Sequence, residues 1–118
     1  MFAEIMVWII AIEHIGIMLL EMFASPEKQA EAFDMSAEFT RQPAARVTLA
    51  NQGIYNGALG AVMIAAKWVV PAASVMVVWQ LLLIFVMVVA IYGGLTATKK
   101  ILLLQFLPAL IAFVLTLV

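Results

Sequence analysis

The chain has 118 residues, of which 67% (about 79) are hydrophobic and 11% charged, with a mean hydropathy of +1.17. A soluble domain of this size carries roughly 45–50% apolar and about 25% charged residues, so one small core cannot hide this much apolar surface, and the composition predicts lipid as the main solvent. Six Lys plus Arg against seven Asp plus Glu give a formal charge of −1, which excludes the basic footprint of a nucleic-acid binder, and the lack of Cys excludes disulfides and thiolate chemistry.

The apolar runs are long and nearly continuous rather than alternating, which favours helices over barrel strands as the way to satisfy a backbone in lipid. The expected architecture is therefore all-α: a polytopic integral membrane protein, one domain over residues 1–118, built as a four-transmembrane-helix bundle. The first span runs from about residue 2 to 23 and is interrupted by Glu4, Glu13, His14 and Glu21. It lacks a basic leader and has ionisable groups inside, so it reads as a retained transmembrane helix rather than a secretory signal. Residues 24–44 form the one long polar segment. Ser25 and Pro26 suit the N-cap and first position of a short helix outside the hydrocarbon, Ser36 with Glu38 and Phe39 suits the start of another, and Pro43 limits any continuation.

A second span is predicted over about 45–68, with Arg46 and Lys67 near its ends and Pro71 marking the turn. The third covers about 72–92, and Gly93-Gly94 is expected to break it. After Thr96, Thr98, Lys99 and Lys100 comes the fourth, residues 101–118, which contains Gln105 and Pro108. Pro108 should free a backbone carbonyl one turn earlier, at Leu104. The first and third loops carry Lys28, Arg41, Arg46, Lys99 and Lys100, against Lys67 alone on the other side. The positive-inside rule then places those loops in the cytoplasm and both termini outside.

Glu13 and His14 fall near the middle of the first span, where ionisable side chains are expensive and mark functional candidates. With Glu21 they occupy an arc of about 100° on the helix. The second span opens with Thr48, Asn51, Gln52, Tyr55 and Asn56 over about 140°, beside a stripe of Gly53, Gly57 and Gly60 whose GxxxG spacing permits close helix approach. Up-and-down topology brings these groups and Gln105 into the same half of the membrane. The expected site is a cytoplasm-facing pocket: Glu13, His14 and Glu21 as candidate acid/base groups, Asn51, Gln52, Tyr55, Asn56 and Gln105 as ligand-binding groups, and Lys99 and Lys100 at its mouth. The alternative for the carboxylates and amides is an interhelical hydrogen-bond network, and for the lysines a role as topology anchors or headgroup contacts. One His and scattered Met supply too few preferred ligands for a metal site, and no cofactor is expected.

The strings IEHIGIMLLEMF (12–23), NQGIYNG (51–57) and IYGGLTATKKILLLQFLPA (91–109), in this order and at these distances, resemble the signature blocks of the bacterial domain of unknown function 1304 family of small four-span membrane proteins. The resemblance covers almost the whole chain, with a departure at Ile15-Gly16, where the family pattern carries an aromatic residue. It implies a similar fold in the bacterial cytoplasmic membrane and no activity that can be carried over to these positions. Three functions fit the residues. The first is a pocket that binds or transforms a lipophilic small molecule by acid/base chemistry. The second is a proton-coupled transporter or transporter subunit, which with four spans would need a homodimer. The third is a structural or accessory membrane protein that meets a partner, or a second copy, through Gly53, Gly57 and Gly60. The first is favoured; whether the chain is an enzyme stays open at this level.

Overall fold

The computed structural model describes all 118 residues and is all-α. Its helices are α1 (Phe2–Phe23), α2 (Pro26–Phe33), α3 (Ala37–Arg41), α4 (Pro43–Val69), α5 (Ala72–Thr96), a π-helical turn (Leu102–Phe106) and α6 (Leu107–Leu115). The chain divides into two compact units, one formed by residues 1–11 and 62–118 and the other by residues 12–61. Both α1 and α4 run through the two.

In the unit of residues 12–61, the polar segment folds as its caps demand. Ser25 accepts from the backbone N–H of Lys28 and Ser36 from that of Phe39, each filling one of the donors that a helix start leaves open. The first of these helices ends at Asp34, whose left-handed backbone (φ 53°) is one of the few that a short polar side chain tolerates. Thr40 donates to the Pro26 carbonyl at 2.8 Å and closes α3 onto the start of α2. Gln29 is the keystone of this segment and is 1% exposed. Its amide nitrogen donates to the carbonyls of Leu20 (3.0 Å), which also accepts from the Ala24 N–H, and of Glu21 (2.9 Å) at the end of α1, and its oxygen accepts from Arg46 at 2.6 Å.

The same unit packs α1 on α4 through small residues. A Cβ on Gly53 would lie 2.8 Å from Met22 Cγ, and one on Gly57 would run into the Met18 sulfur. The close approach that the GxxxG spacing permits is thus made within the chain.

In the unit of residues 1–11 and 62–118, α5 buries Val75, Trp79, Leu83, Val86, Ala90 and Gly94, a single stripe at helical spacing. The Trp79 indole donates to the Met63 carbonyl of α4 at 2.9 Å, and Gln80 donates to the Thr116 carbonyl at 3.3 Å, tying α5 to the end of α6. Trp8 and Trp68 meet edge to face at 5.5 Å.

Two local expectations are corrected. Gly93-Gly94 does not break the third span, because α5 continues to Thr96 and no glycine has a positive φ. The pair instead makes room for the returning chain: a Cβ on Gly94 would occupy the place of Leu102. Pro108 does not simply free the Leu104 carbonyl of an otherwise regular helix. The ladder ahead of it widens to a π turn in which Leu107 N–H bonds to the carbonyl of Leu102, five residues back, so the disturbance is spread over a full turn.

Two helices, α1 and α5, are long and apolar enough to cross a membrane. α4 has the length, at 27 residues, but carries the polar cluster, and the apolar run Leu102–Leu115 is shorter.

Candidate functional site

α1 carries three ionisable groups between its midpoint and its end, and the structure gives each a different setting. His14 is 2% exposed and Glu21 5% exposed, on the face that α1 buries. Glu13 lies about 100° round the helix from His14 and is half-buried. Glu21 Oε1 accepts a 2.6 Å hydrogen bond from the Asn56 side-chain amide, which also donates to the Gln52 carbonyl at 3.3 Å. His14 is engaged within the protein as well, whereas no hydrogen bond or ion pair of the protein reaches the Glu13 carboxylate.

The amides expected to line a pocket separate into two groups. Asn56 reaches Glu21, while Asn51, Gln52 and Tyr55 lie on the exposed side of α4, Tyr55 with 69% of its surface open. The reason is the glycine stripe. An arc of about 140° cannot all face a neighbouring helix, and α4 turns Gly53, Gly57 and Gly60 inward, which leaves Asn56 at the edge of the packed face. Gln105 sits half-buried in the π turn, and Lys99 and Lys100 are exposed in the turn ahead of it, where the Thr98 hydroxyl accepts from the Lys100 backbone N–H.

A second polar group of residues lies at the other end of α1 and α4. Lys67 Nζ is 2.8 Å from Glu4 Oε2 and 5.9 Å from the centre of the Trp79 ring. These three residues, with Met1, Ala72, Val75 and Met76, line a half-open cavity of about 170 Å³. The sequence contains a usable signal for this pair. In an up-and-down helix arrangement the start of α1 and the end of α4 lie close together, so an acid in one and a base in the other can meet although 63 positions apart. Gln29, by contrast, stands in a run of polar residues and nothing in its neighbours marks it as buried.

Comparison with known proteins agrees with the sequence blocks. The chain is similar to uncharacterised protein YpaA of Lactococcus lactis subsp. lactis (strain IL1403), with 38% identity over 107 residues that cover 90% of this chain and 88% of that protein. No solved structure matches the chain. The family model described as protein of unknown function (DUF1304) matches residues 8–117, and the chain belongs to that family.

Proposed function

We propose that the chain is a multi-pass membrane protein that presents Glu13, inside the hydrocarbon, to a lipophilic small molecule. Support for the membrane comes first from the many large apolar side chains on the outside, combined with small and polar residues where the helices meet. The buried positions of α1, α4 and α6 include Ala3, Ala11, His14, Glu21, Gly53, Gly57, Gly60, Ala109 and Ala112. Large apolar side chains such as Ile9, Ile12, Leu19, Leu81, Phe85, Val88, Leu103 and Ile111 are exposed. In water so many exposed large apolar side chains are unfavourable; in lipid they form the expected exterior. Four crossings, by α1, α4, α5 and the π turn with α6, would leave segments 24–44 and 97–100, which carry Lys28, Arg41, Lys99 and Lys100, in the cytoplasm and both termini outside.

The observation that carries the functional reading is the contrast along α1. Glu21 is held by Asn56 and serves as an interhelical lock. Glu13 stands midway along an apolar helix with no partner in the protein. An intramembrane carboxyl group is costly and calls for a partner, and one left open by its own chain is suited to a ligand hydroxyl or amine. With buried His14 next to it in the chain, the carboxyl can accept a hydrogen bond from the ligand or exchange a proton with it.

Purification in native-lipid nanodiscs followed by mass spectrometry of the bound lipophilic compounds tests this. At least one compound should accompany the native chain and the Glu21→Gln variant but be lost from Glu13→Gln. The same set of compounds in all three would refute the assignment.

A further inference from the structure

We propose that the cavity beside Glu4 and Lys67 binds a zwitterionic phosphoethanolamine group. This site is separate from Glu13 and depends on the membrane reading only for the source of the ligand. Its volume of about 170 Å³ is on the scale of cavities that accept one benzene-sized molecule. Trp79 forms a fixed wall, 2% exposed and anchored through its indole N–H on the Met63 carbonyl. Val75 and Met76 supply the apolar lining.

The charges select the ligand. Lys67 and Glu4 are paired at 2.8 Å, yet their side chains are 40% and 35% exposed, and ion pairs this open are weak and exchange partners readily. A ligand with one phosphate and one ammonium two carbons apart can give both a new partner. Lys67 takes the phosphate. Glu4 takes the ammonium, while Lys67 keeps its place over the Trp79 ring at 5.9 Å. An anion without the amine would satisfy Lys67 but leave Glu4 facing a like charge, so the site discriminates against purely anionic headgroups. Glu4 lies in the first turn of α1 and Lys67 in the last turn of α4, the depth at which a span meets lipid headgroups.

Native mass spectrometry of the full chain in detergent, titrated separately with phosphatidylethanolamine, phosphatidylglycerol and soluble O-phosphoethanolamine, tests the proposal. Phosphatidylethanolamine should bind about tenfold more tightly than phosphatidylglycerol, the scale of one charge-assisted contact. Glu4→Gln should abolish that preference, and Lys67→Gln should weaken both lipids. Glu4→Asp and Lys67→Arg, which keep the charges, should retain the preference and guard against loss of fold, with helicity checked by circular dichroism. Equal binding of the two lipids by the native chain, or an unchanged preference in Glu4→Gln, would overturn the site. Binding of soluble O-phosphoethanolamine with no phosphatidylethanolamine binding would overturn the lipid source while supporting the chemistry.

Discussion

Asn56 donates a 2.6 Å hydrogen bond to Glu21 at the point where α4 presents Gly53 and Gly57 to Met18 and Met22 of α1. Polar pairing and small-residue packing thus act on one seam, and the two can be separated by mutation. Glu21→Gln keeps an oxygen that can accept from Asn56 and should cost little. Glu21→Leu leaves the Asn56 amide unpaired and should cost about 1–3 kcal/mol. Reversible unfolding in mixed micelles checks this, and a Glu21→Gln as damaging as Glu21→Leu would show that Glu21 needs its charge.

The glycines make a sharper contrast. Nothing lies within 4 Å of a Cβ added at Gly16, so Gly16→Ala should stabilise by about 0.5–1 kcal/mol through helix propensity alone. Gly57→Leu drives its side chain into Met18 and should destabilise by about 1–3 kcal/mol or more. Melting temperatures of the two variants should therefore move in opposite directions.

Gln29 holds the end of α1, the polar segment and Arg46 together by three hydrogen bonds. Gln29→Ala should cost about 1–3 kcal/mol, since it leaves buried acceptors and the Arg46 guanidinium without that partner. Limited proteolysis should cut the variant within residues 24–44 much faster than the native chain. Equal cutting rates would remove Gln29 from this role.

Arg41 bonds to Glu27 through both Nε (3.0 Å) and Nη2 (2.6 Å). That hydrogen-bonded guanidinium holds the Glu27 carboxyl below the usual carboxylate range. A carboxyl whose pKa is lower folded than unfolded contributes stability above its unfolded pKa and loses it as pH falls through the folded value. The α2–α3 pair should therefore loosen on the acid side, and high salt should screen part of the effect because both side chains are 58% exposed. Amide exchange at α3 followed from pH 6 to pH 2 should show a step that Glu27→Gln removes.

Much of this was legible in the residues. Ser25 and Ser36 announce their helices because a hydroxyl at an N-cap acts locally, and the helix-spaced apolar runs mark the long helices without tertiary information. Gly93-Gly94 misleads because a glycine pair marks a break by propensity, whereas here the pair stays helical to let Leu102 approach. The amide cluster misleads similarly: polarity suggested which side of α4 faces inward, and close packing on the glycine stripe decided it. Glu13, His14 and Glu21 could be picked out as ionisable residues in an apolar helix, but their division into an open carboxyl and a bonded one depends on Asn56, 35 positions beyond Glu21.

The most direct measurement is the reaction of a hydrophobic carbodiimide with the chain in its native membrane, followed by peptide mass mapping. An open carboxyl within the hydrocarbon should carry the adduct at Glu13, and Glu21, buried and bonded to Asn56, should remain unmodified. Modification of Glu21 with Glu13 untouched, or of neither, would contradict the account.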